Sequence, residues 1–377
     1  MKLTCLQENL NKGLGIVSRV AATRTTLPIT GNLLLATDQG RLKVVATNLE
    51  MAITCWTGAK VEEEGEITVP ARLLSEFIAV LPNDKIELTV PAKKKSLEIK
   101  CARFEARISG VDAKEFPPIP RIEDGITTRV EAGALKQGIG QVIFATASDE
   151  SRPVLTGVYT ELDGERLTLA AADGFRLAVY RLSLLTPVPS KVAAIIPAKT
   201  LAEVNRSAAD SEETVDITLD PIKGQVLFRM KDLEIFSQLI QGSFPRYEQL
   251  IPDKSNTRVV VDTSHFLKAV KTAAIFARDS SGIVRLVVSP GGELSPGKLS
   301  ISARSEELGD NVSELDGMVQ GEEAKIAFNG KYLIDVLSVI KETEVSLEII
   351  SPTSPGVIRP VSSDNYVHVI MPMFVQW

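Results

Sequence analysis

The chain has 377 residues, 44% hydrophobic and 24% charged, which is enough apolar material for two or three domains with separate cores. Its net charge is −6, so composition gives no blanket attraction to nucleic acid, and what a polyanion would meet depends on where the bases sit. No apolar run approaches the roughly 18 residues of a bilayer span, and Lys2 and Glu8 interrupt the N-terminus too early for a secretory signal, so a cytoplasmic protein is expected.

Along the chain, Leu6, Leu10, Leu14, Val17 and Ala21 recur at three- and four-residue steps and predict an amphipathic helix. Asn32 to Thr37, a turn at Asp38-Gln39-Gly40, and Arg41 to Thr47 read as a hairpin. Pro70 marks a second helix start, since proline in a first turn forfeits no hydrogen bond; Leu73, Leu74, Phe77, Ile78 and Leu81 mark its buried face. Strands follow at Ile86 to Val90, Leu97 to Cys101 and Phe104 to Ser109. Phe116 to Ile126, rich in Pro, Asp and Glu, reads as a linker. The pattern then begins again. Leu135, Ile139, Val142 and Thr146 predict a helix, Gly157 to Leu162 and Arg166 to Ala172 a hairpin turning at Asp163-Gly164-Glu165, and Pro197 a helix start. A second linker spans Phe244 to Ser255, after which Phe266, Val270, Ala273 and Ala277 predict the third such helix.

The recurrence is literal in places. Arg41-Leu42-Lys43-Val44-Val45-Ala46 returns as Arg166 to Ala171 (RLTLAA) and as Lys298 to Ala303 (KLSISA). Pro70-Ala71-Arg72 returns as Pro197-Ala198-Lys199 and, more faintly, as Asn329-Gly330-Lys331, while Phe116-Pro117 returns as Phe244-Pro245. Repeats of this length are domains rather than solenoid units. The expected fold is α+β, with three tandem domains at 1–121, 126–252 and 256–377, each packing two helices on antiparallel sheet.

Little in the chain resembles catalytic machinery. Gly292 to Lys298 fits the GxxxxGK half of a phosphate loop, but Leu299 replaces the hydroxyl residue and strands flank it, so a hairpin turn is expected. Gly13-Leu14-Gly15 and Gly138-Ile139-Gly140 fall inside predicted helices and read as close packing. His265 and His368 lack metal-ligand neighbours at suitable spacing and read as capping or surface residues. Asp173 reads as the carboxylate of an Asp-Gly turn. Cys5, Cys55 and Cys101, without CxxC spacing, suit neutral thiols in a reducing compartment. No catalytic residue, metal or cofactor is expected.

The bases on the helices are different. Lys12 and Arg19 share one helix face, and Arg72, Lys199 and Lys331 occupy one equivalent position in the three repeats. Agreement in sign at all three copies points to an anionic surface facing them.

With these strings in hand, the chain resembles the beta-subunit family of bacterial DNA polymerase III, the replicative sliding clamps. The resemblance rests on Leu27 to Leu35 (LPITGNLLL), Asn48-Leu49-Glu50-Met51, Ala171 to Ala178 (AADGFRLA), Gly242 to Tyr247 (GSFPRY) and Val369-Ile370-Met371-Pro372-Met373, in order over essentially the whole chain. It implies a head-to-tail homodimer whose six domains of the clamp fold close into a ring around duplex DNA, held without regard to sequence. By family position, Arg24, Arg72, Arg152 and Lys199 are expected to contact DNA, with Lys12 and Lys331 weaker. Partner peptides from the polymerase III catalytic subunit, the ATP-driven clamp loader and other repair and replication proteins are expected in a cleft between the second and third domains. The matching positions are Leu155, Gly174, Phe175, Arg176, Leu177, Pro245, Leu250, Val369, Met371, Pro372 and Met373. Ring closure is expected near Ile108 of one protomer and Ile275 and Phe276 of the next. Phe175 departs from the His or Tyr usual there and makes the cleft wall more apolar. The aromatic tail ending in Trp377 is expected to fold into the cleft and compete with partners. The alternative reading is a three-domain protein scaffold that never encircles DNA.

Overall fold

The computed structural model describes the chain apart from residues 22–26, 92–93, 123, 209–212, 279–280, 293–294 and 308. Among the described residues, each third of the chain supplies two helices and eight strands. The helices are α1 (Gln7–Val17), α2 (Ala71–Val80), α3 (Ala132–Val142), α4 (Ala198–Ser207), α5 (Thr263–Phe276) and α6 (Gly330–Val339). The apolar stripes explain them: Leu10, Leu14 and Val17 of α1, and Phe266, Val270 and Ala273 of α5, are fully buried. Each large side chain so placed stabilises the fold by roughly 1.5–3 kcal/mol. α1 packs on α2, and α5 on α6.

The strands form two antiparallel sheets of twelve, and each sheet crosses a repeat boundary instead of stopping at it. The chain accordingly divides into two compact units, residues 1–133 with 206–239, and residues 134–205 with 240–377. In the first unit, Met51–Glu63, the fourth strand of repeat one, pairs with Leu233–Gln238, the eighth of repeat two: Cys55 lies opposite Leu233, Ile53 opposite Ile235 and Met51 opposite Ser237. In the second unit, Arg176–Ser183, the fourth strand of repeat two, pairs in the same way with Tyr366–Ile370, the eighth of repeat three: Tyr180 lies opposite Tyr366 and Ala178 opposite His368. A strand edge with unpaired amides and carbonyls is a template for another strand, and the repeat presents the same two edges each time.

Several expectations need correction. Pro70 and Pro197 do immediately precede α2 and α4, but as the last residues of strands Glu66–Pro70 and Val192–Pro197, opposite Asn32 and Gly157, and not as residues of the first helical turn. Leu73, expected inside, is 51% exposed. Gly13 and Gly138 do sit in tight packing, but a Cβ at Gly15 or Gly140 would meet nothing. The 13-residue strands Met51–Glu63 and Gly309–Gly321 escaped notice, the second because none of its side chains is buried and polar residues and glycines outnumber its four apolar ones. The second linker is more than a tether: Tyr247–Leu250 forms a 3-10 turn, and Tyr247 is buried against the sheet.

Candidate functional site

Arg72, Lys199 and Lys331 are each the second residue of their helix, α2, α4 and α6, and all three are exposed. None of the three helices has an acid in its first turn. A base at that end opposes the helix dipole by about 0.3–1 kcal/mol, so local helix stability does not account for the choice. A helix N-terminus and a base placed there attract an anion together. Arg72 is also held by Glu76, 2.7 Å away and one turn on. Lys12 is exposed on α1. Arg24 lies outside the described residues. Arg152 does not stand free: its Nη2 donates to the Asp173 carbonyl at 3.3 Å, and a Cβ on Gly174 would lie 2.9 Å from its Nη1. Gly174, at φ +94°, is demanded by conformation, while the tip of the Arg152 side chain beside it could yield.

The expected cleft residues lie within the second unit. Leu177 and Val369 are buried in a sheet-face cluster with Ala172, Val179 and Val367, and the strap carrying Phe244, Tyr247 and Ile251 packs on that cluster. Burial pushes the Tyr247 hydroxyl up to about 12. Pro245 and Leu250 are exposed on the strap, Leu155 is buried in the 3-10 turn Pro153–Thr156, and Phe175 is 58% exposed. Met371 N–H donates to the Phe175 carbonyl at 2.8 Å, and Met373 N–H to that of Ala327 at 2.8 Å, which lays Pro372 and Met373 along the rim. The tail aromatics are not sequestered: Phe374 is 87% and Trp377 51% exposed.

Arg176 departs from its expected role as a wall residue. Its side chain is 8% exposed and lies among internal partners: Nε donates to Asp173 Oδ2 at 3.0 Å, Nη1 to Asp335 Oδ2 at 2.6 Å, and Nη2 to the Phe144 carbonyl at 2.7 Å. The Tyr332 ring lies 4.5 Å from the guanidinium carbon. Asp173 also accepts from the Phe175 and Arg176 amides through Oδ1, so its carboxylate does more than shape an Asp-Gly turn. His368 is another correction. It is fully buried, not at the surface, between Tyr366 and Phe144, with Nδ1 3.4 Å from Tyr366 Oη. Burial, and secondarily Arg176, lowers its pKa to about 3. The tyrosine–histidine pair was not legible as a site because nothing in the sequence joins those residues to Phe144.

His265, by contrast, is exposed at the start of α5, where its amide donates to the cap Asp262 at 2.8 Å. Gly292 and Ser295 pair within a loop, and the flanking strands pair antiparallel with Ser289 opposite Lys298, as a hairpin requires. No cluster of His, Cys, Asp and Glu able to hold a metal occurs among the described residues. Nor, among them, is any helix long and apolar enough to cross a membrane. At the expected ring contact, Ile108 is buried in its own protomer and sits opposite Leu97. Phe104, four residues earlier on the same strand face, is 53% exposed; Ile275 is 51% exposed and Phe276 partly so.

Comparison with known proteins matches all three thirds to the DNA polymerase III beta subunit: its N-terminal domain at residues 1–120, central domain at 129–246 and C-terminal domain at 248–374. The beta sliding clamp of Synechococcus elongatus is 31% identical over 376 residues, covering 99% of both chains. That of Bacillus subtilis is 31% identical over 384 residues with the same coverage. The solved structure of the DNA polymerase sliding clamp from Bacillus subtilis superposes over 100% of both chains with a TM-score of 0.93 at 29% identity. One from Pseudomonas aeruginosa, bound to griselimycin, does so with a TM-score of 0.93 at 29% identity. With every domain matched and relatives near one-third identical from end to end, the chain belongs to the DNA polymerase III beta-subunit family, the beta sliding clamps.

Proposed function

We propose that this chain works as a DNA sliding clamp, a non-catalytic processivity factor that encircles duplex DNA as a homodimer and tethers the replicative polymerase. The observation that carries the DNA side is the base at the second position of α2, α4 and α6. Arg72, Lys199 and Lys331, with Lys12 and Arg152, meet phosphates and not base edges, so contact is salt-sensitive and indifferent to sequence. Retention is topological, and weak contacts then favour movement. The three domains are assigned to 1–121, 126–252 and 256–377, and the site of action is the cytoplasm.

The repeat also supports a specific ring closure. Two of the three fourth-strand edges are capped by the eighth strand of the following repeat. The edges left over are residues 309–317 of the strand Gly309–Gly321 in repeat three, the rest of which pairs with Thr257–Asp262, and Phe104–Ser109 in repeat one. Transferring the register of the two internal joints sets Phe104 of one protomer opposite Ser313 of its partner, Ala106 opposite Asn311 and Ile108 opposite Gly309. Arg107 then faces Asp310. A two-fold dimer holds this joint twice and closes.

The cleft of Leu177, Val369, Pro245, Leu250 and Met371 takes short apolar peptide segments from the polymerase, the clamp loader and other replication and repair proteins. Its exposed methionine and Phe175 suit several partners. Loading on nicked circular DNA with ATP and a clamp loader, followed by linearisation, tests the whole reading. Release on cutting is expected; continued retention on linear DNA overturns encirclement. Replacing Arg72, Lys199 and Lys331 by Glu is expected to abolish loading while peptide binding persists, and survival of loading overturns the assignment of these bases.

A further inference from the structure

We propose that Arg176 is the positioning residue of the peptide cleft: it makes no contact with the partner but locks the cleft's exposed turn to α6 beneath it. The proposal rests on the cleft reading above and deepens it.

The guanidinium spends its donors on three separate segments, Asp173, the Phe144 carbonyl and Asp335, at 2.6–3.0 Å. Asp335 belongs to α6 of repeat three, and Asp173 and Phe144 to repeat two. The connection then continues to the surface. Asp173 Oδ1 receives the Phe175 amide at 2.9 Å, and the Phe175 carbonyl receives the Met371 amide at 2.8 Å. A continuous chain of hydrogen bonds therefore runs from α6 through Arg176 to two exposed apolar residues of the cleft, Phe175 and Met371. The planar fork is what lets one side chain serve three partners at fixed angles, with the Tyr332 ring against its face. A lysine keeps the charge but cannot hold the three directions. With an 8% exposed side chain, little of the guanidinium is left for a peptide to touch. Holding Phe175 and Met371 before the partner arrives removes an ordering cost from binding.

The test uses the full-length clamp with Arg176→Lys, Asp335→Asn and the double variant, each checked for dimer mass and circular dichroism. Amide exchange of the segments holding Phe175 and Met371 is read on the free protein. In parallel, a fluorescein-labelled peptide carrying the clamp-binding segment of the polymerase catalytic subunit is titrated by anisotropy. Both single variants are expected to speed exchange at Phe175 about tenfold and to weaken the peptide several-fold, with the double variant no worse than Arg176→Lys. Unchanged exchange in Asp335→Asn overturns the lock. So does an affinity that falls for Arg176→Lys but holds for Asp335→Asn, since that marks direct contact. A wild-type clamp that ignores the peptide overturns the cleft reading, while the exchange arm still decides the lock.

Discussion

The two internal joints share one backbone solution and fill it with different chemistry. Cys55, Leu233 and Ile235 of the first correspond in register to Tyr180, Tyr366 and His368 of the second. On the face of Cys55, Leu233 and Ile235 the first joint is aliphatic, its one ring, Phe236, lying on the other face opposite Ala52; its rim is polar, where Arg41 meets Asp232 at 3.0 Å and Trp56 Nε1 donates to Asp38 at 2.7 Å. Beside it lies a cavity of about 390 Å³ lined by Lys12, Cys55, Trp56, Met230 and Leu233, among others. In the second joint, rings occupy the strand pair, and Gln141 Nε2 reaches across to the Val339 carbonyl at 3.2 Å. The edge amides and carbonyls suffice to specify which strands meet. Side-chain filling is then free to differ, and the ring-filled joint is the one that carries the cleft residues Arg176, Leu177 and Val369.

The sharpest way to break the comparison is truncation at one register position in each joint. Tyr366→Ala removes a fully buried ring and is expected to cost about 3–5 kcal/mol, against about 2 kcal/mol for Leu233→Ala beside the cavity. Urea denaturation of the two full-length variants measures the difference; equal costs would mean that the rings add nothing. Acid separates the joints next. Burial keeps His368 neutral in the fold down to about pH 3, whereas in the unfolded chain it takes up a proton below about 6.5. Its contribution is thus complete above about pH 6.5 and falls by roughly 1.4 kcal/mol per pH unit as acid is added, until about pH 3. His368→Leu is expected to flatten that slope in denaturation curves at pH 7, 6 and 5, and the aliphatic first joint has no equivalent group to titrate.

The third joint extends the comparison beyond one chain. Arg107→Glu sets like charges opposite Asp310 twice in the ring and is expected to weaken the dimer about twofold to thirtyfold, at about 0.2–1 kcal/mol per pair. Adding Asp310→Arg is expected to restore it, as read by analytical ultracentrifugation. A double variant no better than the single one would displace the register.

How much of this was legible follows from the range of the signals. Helix stripes such as Leu10-Leu14-Val17 and the turn at Asp38-Gln39-Gly40 are local, and they appeared where the residues placed them. The bases at Arg72, Lys199 and Lys331 were visible because a repeat compares a sequence with itself. Joints and buried networks depend on residues far apart in the chain: Arg176 meets Asp335, and His368 meets Phe144, with no spacing to announce either. Ile108 illustrates the same limit. An apolar residue on an edge strand reads as an interface, yet Ile108 is covered by the core, while Phe104, on the same face at the start of the strand, stays exposed.

Two glycines give the smallest and cleanest contrast. Gly13 and Gly138 hold matching places in α1 and α3, and replacing either with alanine gains about 1 kcal/mol of helix propensity. At Gly138 the new Cβ would lie 2.7 Å from Cδ1 of Tyr180, a ring itself wedged against Tyr366 at 6.4 Å between centroids. Forcing that ring to move costs about 1–3 kcal/mol, so Gly138→Ala is expected to be neutral to destabilising by about 2 kcal/mol. At Gly13 the Cβ would meet Thr57 Oγ1 at 3.1 Å and Cys55 Sγ at 3.4 Å, and both residues line the cavity and have room to yield by tenths of an ångström. Gly13→Ala is therefore expected to be neutral to stabilising by about 1 kcal/mol. Thermal melts of the two variants decide it. If both lower the melting temperature equally, the first joint is as tightly filled as the second, and the cavity does not soften its packing.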